Sequence, residues 1–494
     1  MNLCLSFFKD MIFVKKKMKV VPYLKIFAFL LEFVSILSIY TVSFFLPMFQ
    51  GFSIYGFFIF VYFLHQLIVS SKNHQQMKQL CHSSEIPPYR CALLIVGYRE
   101  NENYWIQCLE SVRTCLFTNS NIEYVIVVID GYDPEDQYMK QIAENILCPL
   151  SSPSIDIISI SHRGKRGCLY YGLEKVQRFF QSEIEKVTVV VSDSDTILES
   201  ESIQRLHECL FLSSANNGCA TGRLTIFNQS DGILAKIIHL RYQYAFCIER
   251  GTTSYYNCMT CCSGPLSVYK LSCLNECVLK RFVTQTVWET KCEPGDDRHL
   301  TNLILAQGYG AKQTNLALAQ TEAPVSMIRF LRQQLRWSRS YYRELYWQLK
   351  ALSSQSFFLG IVCLYETLFP FFVTFWMFHV LFISTLFYDF WMGILLSTTF
   401  LFVKNGILLF SMKDKRLISF LYQILYFFIY FTCLLPLKFY AILTLLNNKW
   451  VTVPHLYRST WNISWDFIWI FLWNIIILWG IVTKCLSLFQ IFLF

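Results

Sequence analysis

Two adjacent acids stand out in the stretch CEPGDDRHLTN, which runs from Cys292 to Asn302. Only 16% of the residues in this chain are charged and 54% are hydrophobic, so charge is sparse elsewhere. Like charges a few ångströms apart resist joint ionisation, so such a pair is favoured where a substrate, metal ion or proton needs it. Asp296 or Asp297 suits a general base that removes a proton from an acceptor hydroxyl. The same acids also suit a solvated loop or a helix N-cap, and this short motif alone does not choose between these readings.

A second acidic motif, Asp193-Ser-Asp195, follows the apolar run VTVVV. Residues two apart on a strand point to the same side, so both carboxylates would face one side if strand geometry continues through them. Paired carboxylates beside phosphate oxygens are typical ligands of Mg²⁺ and Mn²⁺. The spacing predicts a divalent cation next to an anionic ligand, although three residues are a weak signal on their own.

A basic segment, HRGKRG, precedes both acidic motifs in the chain and carries Lys165 and Arg166 between glycines. Such a segment suits the binding of a diphosphate. It equally suits an ordinary surface turn, and without further context the surface turn is the simpler interpretation.

Three apolar runs end in polar residues, and we expect the strands they form to position the acidic and basic motifs described above. They are CALLIVGYRE, with Tyr98 and Glu100 at its end, EYVIVVIDGYD, with Asp130 near its end, and VTVVVSDSDT. Runs of this kind alternating with helical stretches predict an α/β domain with a mostly parallel sheet and helices on its faces. Ligands bind beyond the carboxyl ends of such strands, so we expect the acidic ends to converge at one edge.

Long apolar runs flank this polar part on both sides, and the mean hydropathy is +0.38. A transmembrane helix needs ~20 apolar residues, and each run is long enough. The predicted spans are Leu24–Phe49, Gly51–Ser70, Phe357–Leu381, Asp389–Met412, Leu417–Pro436 and Trp465–Leu486. The chain is therefore expected to be an integral membrane protein with one large soluble insert.

Charge and cysteine content place that insert on the inner side of the membrane. Lys15, Lys16 and Lys17 precede the first span, and Lys72 and Lys78 follow the second, so the positive-inside rule predicts a cytosolic insert. The chain has 19 cysteines, most of them in the insert, which in a reducing compartment should be free thiols. The net charge of +9 follows from basic residues near membrane surfaces, and nothing suggests nucleic-acid binding.

The stretch RFLRQQLRWSRSYYRELYW, from Arg329 to Trp347, mixes basic and aromatic residues with helical spacing just before the third predicted span. This pattern predicts a helix lying at the membrane interface. An interface role alone gives no specific task to Gln333, Arg336 and Trp337.

Taken in order, these motifs resemble the processive family 2 glycosyltransferases of GT-A fold, which include cellulose, chitin and hyaluronan synthases. The likeness is strongest to the hyaluronan synthases, through RYQYAFCIERGTTSYYNCMTCCSGPLSVYK, GDDRHLTN and QQLRWSRSYYRE. It covers most of Cys91–Arg343 and, more loosely, the membrane segments. Many motifs in one order are far more specific than any one of them.

The resemblance implies a role for each matching residue. Tyr98, Glu100 and Asp130 would hold the uridine of a UDP-sugar, and Lys165 would contact its phosphates. Asp193 would line the nucleotide, Asp195 would bind Mn²⁺ or Mg²⁺ with it, and Asp297 would be the base that Asp296 positions. Arg336 would meet the leaving diphosphate and Trp337 the end of the acceptor sugar, with Gln333 beside them. The remaining substrate-binding positions implied are Cys261, Ser263, Gly264, Cys292 and Arg298.

The resemblance also implies the organisation of the chain and its activity. Two N-terminal transmembrane helices (1–70) would precede a cytosolic GT-A domain (71–322), amphipathic interface helices (323–352) and a bundle of about four spans (353–494). The enzyme would sit in the plasma membrane as a multi-pass protein. It would transfer GlcNAc and GlcA alternately from UDP-GlcNAc and UDP-GlcA to a growing polysaccharide, and export the polymer through its own spans.

Two departures and two rival functions stand beside this reading. Val451 in KWVTVPH replaces a glycine of the family's Trp-Gly-Thr, and VGYRE replaces the common Pro-Ala-Tyr, with Tyr98 and Glu100 still matching. A chitin or chito-oligosaccharide synthase using UDP-GlcNAc alone is the first rival, although such relatives more often have Glu-Asp-Arg where this chain has Gly-Asp-Asp-Arg. An inactive transporter or scaffold is the second, and the intact acids argue against it.

Overall fold

The computed structural model describes residues 50–181, 183–383, 417–447 and 467–493. Contacts divide the chain into two units, residues 1–64 with 384–420 and residues 65–383 with 421–494. The described part of the first unit consists of the beginnings of two helices, and the second unit contains everything discussed below. The predicted spans Leu24–Phe49 and Asp389–Met412, and the segment around Val451, lie outside the described residues.

The strands are β1 (Arg90–Gly97), β2 (Ile122–Asp130), β3 (Ser154–Ile160), β4 (Val187–Asp193), β5 (Ile197–Leu198), β6 (Asn217–Ile226), β7 (Ser267–Lys270), β8 (Thr286–Val287), β9 (Thr290–Lys291) and β10 (Gly310–Thr321). The helices up to the sheet's last strand are α1 (Gln50–Ser83), α2 (Glu102–Thr118), α3 (Pro134–Leu147), α4 (Gly164–Phe179), α5 (Ser202–Leu212), α6 (Ile233–Tyr244), α7 (Gly251–Tyr255), α8 (Glu276–Val283) and α9 (Asp296–Ala306). The later helices are α10 (Met327–Ala351), α11 (Phe357–Phe378), α12 (Leu417–Ile429), α13 (Leu435–Leu443) and α14 (Ile468–Leu493).

Eight strands form one sheet in the order β3-β2-β1-β4-β7-β6-β10-β5. Only β5 and β7 run against the others, so the predicted mostly parallel sheet is confirmed. Residues Cys91 to Ile95 of β1 are fully buried, because helices cover both faces of a parallel sheet, which is why the central strands are mostly apolar. The continuous apolar runs in the sequence therefore correctly predicted buried strands.

The register of the central strands aligns their polar ends. Val96 of β1 pairs with Asp193 of β4, and Gly97 pairs with Ile129 of β2, one residue before Asp130. Parallel strands in register end at one edge of the sheet, so these two acids and Tyr98 lie along the same edge, as predicted.

Three helical segments of the described chain are long and apolar enough to cross a membrane: Phe357–Ile383, Leu421–Leu443 and Ile468–Ser487. They correspond to three of the predicted C-terminal spans. Pro436 lies within the second and has no backbone N–H to donate to the preceding turn, which is π-helical from Tyr430 to Leu434. The Asn474 amide of α14 donates to the Thr432 carbonyl at 2.9 Å, and Trp473 Nε1 donates to the carbonyl of Phe431 at 3.0 Å.

The predicted interface helix, α10, is a single helix that packs on the end of α13. Phe330 and Leu335 of α10 share an apolar cluster with Leu437 of α13. On the same helix, Arg339 donates to the Thr444 hydroxyl at 2.7 Å, and Arg343 donates to the carbonyl of Leu445 at 2.6 Å. Two basic side chains that the pattern assigned to the membrane surface instead bind the C-terminal end of an apolar helix, where unpaired carbonyls favour cations.

Candidate active site

An ion pair joins the end of β4 to the first turn of α9. Lys165 Nζ, from the first turn of α4, lies 2.6 Å from Asp193 Oδ1 and 3.4 Å from Asp296 Oδ2. Burial alone would lower the pKa of Lys165, but Asp193 and Asp296 outweigh it and raise that pKa, so the ammonium stays charged. For Asp296, burial raises the pKa, but Lys165 and Arg166 hold it below its usual range. One ammonium group therefore links the two acidic motifs.

Asp195 lies just beyond this pair and is half-buried. Burial first, and then Asp193 and Glu100, raise the pKa of Asp195 to about 7. A bound cation would remove that repulsion, so this carboxyl group suits a metal ligand. Within the described ranges, no group of three or more His, Cys, Asp or Glu side chains is placed to hold a metal ion. A cation here would therefore need ligand oxygens as well, which is how Mg²⁺ is usually held beside phosphates.

Asp297, the second acid of the pair, is held at both of its oxygens. Oδ2 accepts a hydrogen bond from the Cys261 thiol at 3.3 Å, and Oδ1 accepts one from the backbone N–H of Arg298 at 2.7 Å. Burial and then Asp297 raise the pKa of Cys261 to about 12, so this group is a neutral thiol that can donate. A half-buried carboxylate with both oxygens oriented meets the geometric requirement for a general base.

Helix α10 contributes Gln333, Arg336 and Trp337 to the same region. Burial lowers the pKa of Arg336, and the opposing effects come from Asp296, Asp297 and Asp193, so all three carboxylates lie within electrostatic range of the guanidinium. Trp337 is 38% exposed, with its ring 6.4 Å from that of Tyr242. Gln333 Oε1 is buried without a hydrogen-bond partner among the described residues. The helix thus presents a cation and an open aromatic face beside the acids.

The ends of β1 and β2 meet at a residue that sequence reasoning missed, His162. Its ring lies 4.9 Å from that of Tyr98, and its Nδ1 lies 2.9 Å from Asp130 Oδ2. Asp130 is 2% exposed and also accepts from the backbone N–H groups of Arg163 at 2.8 Å and Gly164 at 3.1 Å. Asp130 therefore caps the start of α4 and holds His162 beside Tyr98. His162 is the first residue of the HRGKRG motif, and that motif was the only sequence feature that could have pointed to it.

Glu100 connects the end of β1 to the acidic motif after β4. Its Oε2 accepts from the Ser194 hydroxyl at 3.1 Å and its Oε1 from the backbone N–H of Asn101 at 3.0 Å. Burial raises the pKa of Glu100, partly offset by these two donors. Its position beside Asp193-Ser-Asp195 agrees with the convergence predicted from the strand ends.

The two adjacent basic residues of HRGKRG, Lys165 and Arg166, have entirely different partners. Lys165 joins the acids, whereas Arg166 is 1% exposed and donates to the carbonyls of Phe282 at 3.0 Å, Glu293 at 3.0 Å and Pro294 at 3.4 Å. The interpretation of Arg166 as a diphosphate ligand is wrong, and so is a surface turn. Arg166 fixes the loop that leads into the two acids.

The loop before β7 docks on α9. The backbone N–H of Cys262 donates to the Thr301 hydroxyl at 2.8 Å, and Arg298 Nη1 donates to the Thr260 hydroxyl at 3.4 Å. The Ser263 hydroxyl accepts from the Arg250 side chain. The structure thus places Cys261 and Arg298 against the predicted base, with Ser263 two residues further along the same loop.

Gly264 and Cys292 differ in how closely they approach the charged groups. A Cβ on Gly264 would lie 2.9 Å from Asp193 Oδ2 and 3.1 Å from Lys165 Nζ, so only glycine leaves that pair undisturbed. Cys292 is 2% exposed, and its thiol faces the Thr290 carbonyl at 3.8 Å. Gly264 borders the ion pair directly, whereas Cys292 is buried in the loop that Arg166 holds.

Comparison with known proteins agrees with this arrangement. Residues 87–340 match the family model described as glycosyltransferase like family 2. Hyaluronan synthase 1 of Xenopus laevis is 30% identical over 400 residues, which cover 73% of this chain and 67% of the relative. Hyaluronan synthase 2 of Homo sapiens is 28% identical, over 81% of this chain and 76% of the relative. A solved mycobacterial protein aligns at 12% identity with a TM-score of 0.32, over 55% of this chain and 77% of that one, too distant to carry an argument.

The matched segment contains the sheet, the converging acids, the Lys165–Asp193 pair and the start of α10, so the similarity covers the whole site. With the relatives above, it assigns the chain to a family: the protein belongs to the family 2 glycosyltransferases, among the hyaluronan synthases, with an α/β domain of GT-A type joined to apolar membrane helices.

Proposed function

We propose that this protein is a membrane-embedded processive hyaluronan synthase that transfers GlcNAc and GlcA alternately from their UDP-sugars. The observation that carries the proposal is that the two adjacent acids of the GDD motif have different partners. Asp296 belongs to the cationic Lys165 pair, while Asp297 is oriented by Cys261 and the Arg298 backbone. One acid thus supports the charged diphosphate region, and its neighbour is left to act as a base.

In the proposed step, Asp297 accepts the proton of the acceptor hydroxyl as its oxygen bonds to C1 of the donor sugar. The bond between C1 and the diphosphate oxygen breaks, and its electron pair leaves with UDP, which inverts the configuration at C1. Lys165 and Arg336 lie where they can offset the charge that develops on the diphosphate. A Mn²⁺ or Mg²⁺ ion held by Asp195 and Asp193 would add further charge compensation there.

The donor would lie along the sheet edge with its base near Tyr98, where His162 offers a second ring and Glu100 and Asp130 hold the surrounding backbone. The acceptor would approach from the side of α10, where Trp337 is open to stack on a sugar ring. Gln333, Ser263, Gly264, Cys292 and Arg298 remain proposed contacts of this acceptor side.

Charges where the α/β domain meets the helical bundle support an anionic rather than a neutral polymer. Glu366 of α11 is exposed, and its electrostatic neighbours are the cations Arg298, Lys438 and Arg241 and the acid Glu249. Ionisable side chains among membrane helices are expensive and are typical of a polar pathway. Three cations to two carboxylates favour the passage of a uronate-containing chain, so we propose export beside Glu366. The enzyme would be a multi-pass protein of the plasma membrane with its catalytic domain in the cytosol.

The test uses purified full-length protein in detergent with Mn²⁺, and measures UDP release from UDP-GlcNAc alone, UDP-GlcA alone and both together. Sustained release only with both donors, with a product that hyaluronidase degrades, is the expected result. Repeating the assay with Mg²⁺ and after chelation tests the cation requirement.

Two other outcomes would contradict the proposal. Sustained release from UDP-GlcNAc alone, with a product that chitinase degrades, would assign the protein to the chitin branch. Release no greater than that of an Asp297→Asn variant in every mixture would favour an inactive scaffold.

A further inference from the structure

Two buried charged side chains at the contact between α9 and α10 have no part in the transfer step. His299 is 0% exposed, and its Nδ1 lies 3.0 Å from Glu344 Oε1 and 3.2 Å from Oε2. The amides of Gln285 and Asn302 donate to the same carboxylate. Burial alone would raise the pKa of Glu344, but His299 and the two amides hold it below its usual range. Glu344 is therefore a buried carboxylate with three donors.

The partners of His299 define its charge. Nε2 lies 3.4 Å from the backbone carbonyl of Arg281, while Nδ1 faces the Glu344 carboxylate. Neither acceptor has a proton to donate, so these contacts suit an imidazolium ring, which donates from both nitrogens. The ring also lies between Phe282 and Trp347, with centroids 6.3 Å and 5.6 Å away. His299 and Glu344 thus form a buried, fully hydrogen-bonded ion pair.

One face of α10 connects this ion pair to the catalytic groups. Arg336, Ser340 and Glu344 are spaced four residues apart, so they line the same face of the helix. Gly295, which precedes α9 with φ of 91°, packs on that face so closely that a Cβ would lie 2.1 Å from Ser340 Oγ. The face therefore contacts the start of α9 at Ser340 and its interior at Glu344, with Arg336 in electrostatic range of the acids.

A buried ion pair adds little net stability over well-packed apolar side chains of the same volume, because both charges must be desolvated. Its directed hydrogen bonds, however, permit only one relative placement of the two helices. We propose that His299 and Glu344 are positioning residues that fix α9 against α10 and so set Asp297 relative to Arg336. This inference rests on the proposed transfer reaction and adds two residues to it that touch neither donor nor acceptor.

The test compares wild type, Glu344→Gln, His299→Gln and the double variant of the full-length protein, by steady-state UDP release and by UDP binding. Misplacement of reacting groups by about 1 Å reduces rates by as much as ~100-fold, so we expect Glu344→Gln to lower kcat roughly ten- to hundredfold. KM for the donors and the affinity for UDP should change much less than kcat, because Tyr98, Glu100 and Lys165 lie on other elements and keep their contacts. In the double variant the two amides can bond to each other, so kcat should recover above that of Glu344→Gln.

Glu208→Gln is the matched control, since Glu208 is a buried carboxylate of α5 paired with Arg205 and remote from this contact. It should leave kcat unchanged even if it lowers the thermal midpoint. The inference would be overturned if Glu344→Gln kept the wild-type kcat or changed only KM. It would also be overturned if kcat of the double variant were no higher than the product of the two single effects predicts. If Glu344→Gln does not fold, His299→Gln alone removes the cationic partner of Glu344. Unchanged kcat in that variant would also overturn the inference.

The proposed function can fail separately. A wild-type protein that releases no UDP from either donor would overturn that function but leave the ion pair measurable. The thermal midpoints of the four proteins then decide, since a double variant that loses the sum of the single losses would show that His299 and Glu344 are not coupled.

Discussion

At the scale of single residues, Cys261 has a defined chemical task because its thiol donates to the proposed base. Cys261→Ala removes that donor, and losing a hydrogen bond worth ~0.5–1.5 kcal/mol should lower kcat roughly three- to tenfold. Cys261→Ser keeps a donor and should retain most of the activity. UDP-release assays of both variants check this, with Cys209→Ala, a buried cysteine of the α5 core, as the control. Equal rates for the serine and alanine variants would contradict the role of the thiol.

Gly264 is the second residue whose identity is set by a direct contact. In Gly264→Ala the new methyl group would displace the Asp193 carboxylate from Lys165, because it would lie 2.9 Å from Asp193 Oδ2. We expect UDP affinity in the presence of Mn²⁺ to fall roughly tenfold, equivalent to ~1.4 kcal/mol, as measured by calorimetry. Gly360→Ala is the matched control, since its Cβ would make only an ordinary 3.5 Å contact with Leu352. Unaltered affinity in Gly264→Ala would show that the pair tolerates the methyl group.

At the scale of elements, α14 completes the hydrogen bonding of the helix that contains Pro436. Asn474→Leu would remove the interhelical donor to the Thr432 carbonyl in the turn before Pro436. Interhelical hydrogen bonds of this kind contribute ~0.6–2 kcal/mol, so the thermal midpoint in detergent should fall measurably. Ile475→Leu, at an exposed neighbouring position, should leave the midpoint unchanged. Equal midpoints for the two variants would count against this contact.

At the scale of the whole molecule, His207 makes folding depend on pH. It is fully buried, its Nδ1 donates to the Ile203 carbonyl at 2.7 Å, and its Nε2 lies 2.7 Å from the Thr188 hydroxyl. Burial lowers the pKa of His207 from 6.5 to about 4. Between these values only the unfolded chain binds the proton, so stability is complete above pH 6.5 and is lost as pH falls towards 4, by up to ~3 kcal/mol.

The thermal midpoint of the wild type should therefore fall between pH 7 and pH 5 more steeply than that of His207→Gln, which cannot bind this proton. Comparing the two slopes removes the contribution of other titrating groups, which both proteins share. Parallel slopes would mean that His207 is protonated in the folded protein.

The amino-acid sequence determined the sheet and the identity of the acids. The β1, β2 and β4 segments are mostly apolar because both faces of a parallel strand are buried, and that pattern is visible in the sequence. The order of the acids after these strands, with Gln333, Arg336 and Trp337 further along, predicted a glycosyltransferase that the comparisons confirmed. The roles proposed for individual residues remain predictions.

Tertiary structure alone decided which polar side chains touch one another. Lys165 and Arg166 are adjacent and alike in the sequence, yet consecutive helical residues point about 100° apart, so one meets the acids and the other is buried under a loop. The same holds for His162 beside Tyr98 and for His299 with Glu344, whose partners lie 64 and 45 residues apart in the chain. Such pairings depend on how helices pack against strands and one another, and no local periodicity encodes that packing.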